Sequence, residues 1–174
     1  MSKFLAILLL AMSIIAPSQA AEDRGQLVSA CENLSGETNQ EVRIAACTML
    51  IDGDDQPGPT RAKTYINRAW PLGIQGRYDL ALRDYDKAIK LNPKYAVAYN
   101  DRGVTFLRMG RLDRAIADYD QALHLDPNTV FALYGRGIAK IRKGDSRGGL
   151  ADIAAAREKL PNIDGVFEKI GLHP

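Results

Sequence analysis

The segment AVAYNDRGVTFLRMGRLDRAIADYDQALHLDP, residues 96–127, decides the fold because its pattern recurs along the chain every 34 residues. The positions that share this spacing most clearly are a proline and a glycine, at Pro93, Pro127, Pro161, Gly76, Gly110 and Gly144. A supersecondary unit repeated in tandem stacks into a solenoid, which presents an extended surface. The repeat therefore favours a binding protein over an enzyme.

Each repeat divides into two helical stretches on either side of its glycine. In residues 96–127, apolar or small side chains recur three and four positions apart, at Tyr99, Gly103 and Phe106 and again at Ala115 and Tyr119. Glycine follows the first stretch and proline follows the second, which are typical signals for the end of a helix. The sequence predicts helix pairs over residues 62–95, 96–129 and 130–163.

This pattern resembles the tetratricopeptide repeat family. In the second repeat the matching residues are Tyr99, Gly103, Phe106, Gly110, Ala115, Tyr119, Ala122 and Pro127. Three copies in one register cover about residues 62–172, although Lys140 and Ile153 replace the usual aromatic residues in the third copy. The resemblance implies an all-α fold, a right-handed solenoid of helical hairpins over residues 61–174.

Partial repeats flank the three regular ones. Downstream, Phe167 and Gly171 align with Tyr99 and Gly103 two units earlier, so residues 164–172 are expected to form a capping helix. Upstream, residues 44–51 align with residues 116–123 and indicate a degenerate N-terminal hairpin within residues 21–60. Residues 52–60 are rich in Asp, Gly and Pro and predict a loop between this hairpin and the array.

The two cysteines, Cys31 and Cys47, lie in the degenerate hairpin at the positions of Gly103 and Tyr119. In the full repeats these two positions are expected to touch across the helix pair. An even number of cysteines in an exported protein indicates a disulfide. We therefore expect a Cys31–Cys47 disulfide, with two buried thiols as the alternative.

The first twenty residues differ from the rest of the chain. Lys3 is their only charge, residues 4–15 are almost wholly apolar, and Ser18-Gln19-Ala20 has the small-x-small form of a cleavage site. This pattern predicts a signal peptide over residues 1–20 and export to the periplasm or the extracellular space. A membrane anchor is the alternative, but the apolar run is short for a span, and we expect no stable anchor after cleavage.

The charge and the composition exclude several function classes. The formal net charge of +2 becomes +1 when Lys3 is removed, so no strong field attracts nucleic acid. His124 and His173 lie far in sequence from the cysteines, and no nucleophile–base pair or glycine-rich phosphate loop is recognisable. We therefore expect no metal site, no cofactor and no catalytic activity.

An arginine recurs in register at Arg68, Arg102 and Arg136, and an aspartate follows each of them sixteen residues later. Three arginines in a row could bind a phosphate or carboxylate ligand. An Arg–Asp pair between the two helices of each repeat is the simpler interpretation.

The first helix of each repeat lines the concave groove in tetratricopeptide proteins, and the resemblance implies the same here. The partner-binding residues that it predicts are Ile66, Trp70, Asn100, Val104, Leu107, Arg108, Phe131, Tyr134, Ile138 and Arg142. This mostly apolar strip suits an amphipathic helix or an extended peptide. It lacks the repeated Lys and Asn pattern of members that clamp a C-terminal carboxylate.

Two questions about this strip stay open. It is either free to bind, or covered by the N-terminal hairpin, the terminal helix or another copy of the chain. Trp70, which precedes Pro71 inside a helix, serves either as a ligand anchor or as core packing. The sequence predicts a non-enzymatic adaptor or scaffold for a protein or peptide of unknown identity, with a self-associating, homo-oligomeric subunit of an envelope assembly as the alternative.

Overall fold

The computed structural model describes residues 17–33, 39–53 and 56–174, with side chains from residue 21 onward. Residues 1–16 of the predicted signal peptide lie outside the described ranges. The described ranges contain no strand. Their helices are α1 (Pro17–Glu32), α2 (Gln40–Asp52), α3 (Gly58–Ile74), α4 (Tyr78–Leu91), α5 (Ala96–Arg108), α6 (Leu112–Leu125), α7 (Val130–Lys143), α8 (Ser146–Lys159) and α9 (Ile163–Lys169). None of these helices has the combined length and hydrophobicity of a membrane span.

The three predicted helix pairs are present as α3 with α4, α5 with α6 and α7 with α8. A glycine ends the first helix of each pair in the left-handed conformation, with φ of 77° at Gly76, 70° at Gly110 and 102° at Gly144. The N–H of the following residue then bonds back five residues, as from Arg111 to the Phe106 carbonyl at 2.9 Å. This closure satisfies carbonyls at the helix end and fixes each turn.

A buried tyrosine connects consecutive repeats. Tyr119 of α6 is fully buried, and a Cβ atom placed on Gly103 would lie 2.9 Å from its Cε1 atom. A Cβ atom on Gly135 of the next repeat would lie 2.5 Å from its Cζ atom. The ring therefore fits against α5 and α7 only because both helices present glycine. This contact stacks the second and third repeats.

In the third repeat Ile153 occupies the position of Tyr119, and the two helices meet backbone to backbone at Gly137 and Gly149. A Cβ atom on Gly149 of α8 would lie 2.5 Å from the carbonyl oxygen of Gly137 in α7. Gly149 thus serves a close contact between α7 and α8.

Gly149→Ala is expected to destabilise the protein by about 1–3 kcal/mol, because the added methyl group overpacks a contact between two backbones. The better helix propensity of alanine offsets at most about 1 kcal/mol of this. Thermal and urea unfolding followed by circular dichroism measures the change. Gly165→Ala in α9 is the matched control, since its Cβ atom would meet no described atom within 4 Å. Equal effects of the two substitutions would contradict the packing explanation.

The degenerate hairpin follows the register of the repeats. Cys31 of α1 and Cys47 of α2 form a disulfide with their Cα atoms 4.8 Å apart, at the positions where the second repeat has Gly103 and Tyr119. The loop after α2 is shorter than the expected residues 52–60, because α3 already begins at Gly58 with proline in its first turn. Residues 54 and 55 of that loop lie outside the described ranges.

The C-terminal helix differs from its predicted register. We expected Gly171 to lie inside a helix as Gly103 does, but α9 ends at Lys169 and Gly171 has a φ of 72°. Leu172 donates its N–H to the Phe167 carbonyl at 3.0 Å, as in the turns that end the first helix of each repeat. The predicted equivalence of Gly171 with Gly103 is therefore wrong. Gly171 ends a helix of seven residues, shorter than the expected 164–172.

Candidate binding groove

The predicted groove residues lie on α3, α5 and α7, and most of them are buried. Those with at most 8% of their surface exposed are Ile66, Asn100, Val104, Leu107, Tyr134 and Ile138. Trp70 and Arg108 are partly buried, Arg142 is exposed, and Phe131 is 43% exposed. The strip is thus open at some positions and covered at others.

Helix α9 covers part of this face. Phe167 of α9 is buried, and its ring centroid lies 4.6 Å from that of Tyr134 and 6.4 Å from that of Phe131. The Tyr134 hydroxyl donates a hydrogen bond to the Asp164 carboxylate at the start of α9. Of the alternatives left open by the sequence, coverage by the terminal helix therefore applies to this part of the strip.

The two predicted groove cations hold the same C-terminal segment through its backbone. Arg108 donates from Nη1 to the Ile170 carbonyl, and Arg142 donates from Nη2 to the His173 carbonyl at 2.8 Å. Carbonyl groups at the C-terminal end of a helix carry partial negative charge and suit such donors. Both guanidinium groups therefore bind this chain rather than standing free for a partner.

A third contact secures the start of α9. Arg157 of α8 donates to Asp164 from Nε at 2.9 Å and from Nη2 at 2.8 Å. Hydrogen bonds from Arg157 and Tyr134 hold the pKa of Asp164 below its usual range. Burial, together with the neighbouring Asp164, raises the pKa of Tyr134 to about 12. At neutral pH the tyrosine is therefore a neutral donor to a charged carboxylate.

An open pocket of about 280 Å³ remains beside α9. Its lining residues come from the first helix of each repeat and from the C-terminal segment: Trp70, Asn100, Asp101, Val104, Phe131, Val166, Phe167 and Ile170. The lining is apolar except for one amide and one carboxyl group. Trp70 thus borders an open space, which suits the ligand-anchor alternative for this residue.

Asp101 is a member of this pocket that the sequence analysis missed. Burial raises its pKa to about 7, although Asn100 donates a hydrogen bond to its Oδ1 atom at 2.9 Å. The equivalent positions of the other repeats hold Asn67 and Gly135, so a carboxyl group occurs here alone among the three. That departure from the repeat was the available signal.

Asp101→Asn is expected to remove a pH dependence of stability. The folded protein keeps a proton on Asp101 that the unfolded chain releases above pH 4, so wild-type stability falls as the pH rises from about 4 to about 7. Because water in the open pocket weakens the effect of burial, we expect the wild type to lose about 1–2 kcal/mol of its free energy of unfolding over this pH range. Melting temperatures at pH 5 and pH 8 measure it. Glu158→Gln, on the exposed side of α8, controls for the loss of one charge, and parallel pH curves for all three proteins would contradict the prediction.

The recurring arginines form ion pairs, as the simpler interpretation has it. Arg102 donates to both carboxylate oxygens of Asp118, at 2.8 and 2.7 Å, and its Nη1 donates to Asp86 of the preceding repeat at 2.7 Å. Arg136 bridges Asp152 and Asp120 in the same way. These bonds join the two helices of a repeat and also link successive repeats. In the described residues, no cluster of three or more His, Cys, Asp or Glu side chains is arranged to hold a metal ion.

Comparisons with known proteins agree with this geometry. Residues 72–130 match the family model for the tetratricopeptide repeat. Residues 72–130 are thus similar in sequence to tetratricopeptide repeats. A search of curated proteins finds no significant match to the sequence.

Solved structures share the tetratricopeptide fold. MamA matches with a TM-score of 0.68 at 22% identity, over 82% of this chain and 81% of that one. The Arabidopsis OM64 TPR domain matches with a TM-score of 0.58 at 24% identity, over 60% and 87%. The first TPR of Spaghetti (RPAP3), bound to the HSP90 peptide SRMEEVD, matches with a TM-score of 0.58 at 22% identity, over 65% and 92%. At these identities the likeness concerns the fold alone.

Proposed function

We propose that this protein is a non-enzymatic adaptor that binds a short apolar helix of a protein partner in the concave groove, at the open pocket beside α9. Tetratricopeptide proteins generally act as scaffolds for other proteins. The observation that carries the proposal is α9 itself. The groove already holds a short helix of this chain through one aromatic residue, Phe167, so its surface suits that kind of ligand.

The side chains around the pocket have the character of an interaction site. Phe131, which lines the pocket, is 43% exposed, and Val97, which lies outside that lining at the equivalent position of the preceding repeat, is 45% exposed. Trp70 lies at the same pocket. Exposed apolar clusters mark interaction sites, and tryptophan is enriched among the residues that dominate binding energy. We therefore expect the partner helix to place one bulky apolar side chain between Trp70 and Phe131.

The partner is expected to differ from the peptide bound by the RPAP3 domain, SRMEEVD, which is acidic. This groove lacks a repeated Lys and Asn pattern, and Arg108 and Arg142 donate to carbonyls of the C-terminal segment. The open pocket contains the carboxyl group of Asp101. An apolar segment without acidic residues at its anchor therefore suits the site better than a C-terminal carboxylate.

Site-specific photocrosslinking tests the proposal. A photoreactive phenylalanine analogue at Phe131 is expected to capture the partner in intact cells, and mass spectrometry then identifies the crosslinked segment. The same analogue at Leu150, an apolar residue of α8 that is 58% exposed, is the matched control and is expected to capture nothing. A synthetic peptide of the captured segment should bind the purified protein, and Phe131→Ala should weaken that binding about tenfold.

The outcomes separate the competing functions. Capture of a second copy of this chain from Phe131 would favour the self-associating subunit. Equal capture from Phe131 and Leu150, or a peptide whose affinity does not depend on Phe131, would place the binding surface elsewhere.

We also propose that the protein acts outside the cytoplasm. The apolar leader supports this, as does the Cys31–Cys47 disulfide, since disulfides persist in oxidising compartments. Denaturation of the native protein in the presence of a thiol-blocking reagent should leave both cysteines unmodified, and mass spectrometry should place the N-terminus at Ala21. Two reactive thiols together with an intact leader would contradict export.

A further inference from the structure

The arginine of the first repeat lacks one of the carboxylates that its counterparts have. Arg102 and Arg136 each contact two aspartates, one in their own repeat and one in the preceding repeat. Arg68 contacts Asp84 in its own repeat, but its Nη1 donates to the hydroxyl of Thr48 at 3.1 Å on the side of the preceding unit. A neutral hydroxyl thus stands where the other repeats have a negative charge.

A pocket of about 260 Å³ adjoins this incomplete pair, and we call it the outer pocket. Its described lining residues come from α2, α3 and α4 and the turn before α4: Ile44, Thr48, Arg68, Leu72, Arg77, Leu80, Arg83, Asp84 and Lys87. Four of these residues are cations and one is an acid, so the lining carries a formal excess of 4 − 1 = 3 positive charges. Such an excess costs repulsion energy when no anion is present.

The cations are available to a ligand. The guanidinium groups of Arg77 and Arg83 are exposed and form no hydrogen bond or ion pair with any residue in the described ranges. Lys87 lies with its Nζ atom 5.1 Å from the ring centroid of Tyr65, and no carboxylate of the described residues pairs with it. Of the four cations that line the outer pocket, only Arg68 has a carboxylate partner among the described residues, Asp84, to which it donates two hydrogen bonds.

The repeat itself shows that the fold does not require these cations. The position of Arg83 is occupied by Ala117 in the second repeat and by Ala151 in the third. The position of Lys87 is likewise occupied by Gln121 and Ala155. Arg83 and Lys87 are therefore cations only in the repeat whose arginine lacks a carboxylate, whereas the position of Arg77 keeps a cation, Arg111, in the second repeat. Stability does not explain the addition of Arg83 and Lys87.

We propose that the outer pocket binds a doubly charged phosphate group, of the phosphate monoester class, that takes the place of the missing carboxylate. Guanidinium groups match phosphate oxygens in geometry as well as in charge. A dianion offsets most of the excess charge, whereas a single carboxylate offsets less of it. The hydroxyl of Thr48 donates to the Ile44 carbonyl at 2.8 Å and accepts from Arg68, so the cations supply the donors to the ligand.

Titration with inorganic phosphate, at ionic strength held constant with chloride, tests the site. Nuclear magnetic resonance signals of the arginine Nε–H groups are expected to shift and to saturate for Arg68, Arg77 and Arg83. Arg83→Ala combined with Lys87→Gln introduces the residues of the second repeat, so it should keep the fold. It is expected to weaken phosphate binding about tenfold or more, because two contacts to a charged group are lost.

Thr48→Asp is an independent test that removes no cation. It supplies the carboxylate that the other repeats have at this position, so Arg68 should bind Asp in place of the ligand and phosphate affinity should fall by a similar factor. Arg111→Ala combined with Lys143→Gln is the matched control. It removes two charges from another basic pocket, in which Lys143 already pairs with Asp113, and should leave phosphate affinity unchanged.

Vesicles then identify the source of the phosphate group. Co-sedimentation with phosphatidylcholine vesicles that contain phosphatidic acid, but not with phosphatidylcholine alone, would assign a lipid headgroup. Saturable phosphate binding without co-sedimentation would assign a soluble phosphate ester. Shifts that fail to saturate, or that are equal in the wild type, the Arg83→Ala/Lys87→Gln variant and Thr48→Asp, would overturn the proposal.

Discussion

Leu107→Ala is expected to lower the free energy of unfolding by about 2–5 kcal/mol, which is a large share of the stability of a small domain. Leu107 is 0% exposed and belongs to the same apolar cluster as Ile138, Phe167 and Leu172. Truncation leaves a cavity in this cluster, to which α5, α7 and the C-terminal segment all contribute residues. Urea unfolding followed by circular dichroism measures the loss. The sequence placed Leu107 in a binding strip, where truncation would have left stability nearly unchanged.

Val97→Ala is the matched control for this prediction. Val97 is on the same helix and at a groove position of the same repeat, but it is 45% exposed. Its truncation is expected to change stability by no more than about 0.5 kcal/mol. Should Leu107→Ala prove as mild as Val97→Ala, the groove would be open in solution and the C-terminal segment would not cover it.

The repeated contacts could be predicted from the sequence because each of them joins residues at a fixed separation and occurs several times. The pairing of Arg102 with Asp118 followed from the recurrence of both residues. The same register carried over to the degenerate hairpin, where Cys31 and Cys47 replace a glycine and a tyrosine and still meet. A contact that a repeat fixes by geometry survives the exchange of its residues.

Contacts that occur once could not be predicted in this way. Helix α9 has seven residues, too few for periodicity to determine which face packs. Its Phe167 packs on Tyr134, a contact that no repeated spacing indicated. The exposure of the groove depends on where this short helix packs, and Arg108, Arg142 and Arg157 also hold the C-terminal segment there. Thr48 and Asp101 are visible in the sequence as departures from the repeat, but only the fold shows the cations around one and the pocket around the other.

Arg102→Ala is expected to cost about 3–5 kcal/mol, because it leaves the buried carboxylate of Asp118 without its bidentate partner. Asp118→Ala should cost less, since Arg102 keeps Asp86 at 2.7 Å. The double variant should be more stable than the sum of both losses implies, with a coupling energy of about 0.5–3 kcal/mol. Burial raises the pKa of Asp118, so the Arg102→Ala loss should be larger at pH 8 than at pH 4, where the carboxyl group takes up a proton.

Asp86→Ala is the control that separates a buried pair from an exposed one. The Asp86 side chain is 65% exposed against 9% for Asp118, although both lie 2.7 Å from the same guanidinium group. Its removal should cost no more than about 1 kcal/mol, since water screens the pair. Strictly additive losses from Arg102→Ala and Asp118→Ala would show that the two residues are not coupled. The recurring arginines would then be free to serve a ligand, and the contrast between Arg68 and its counterparts would lose its basis.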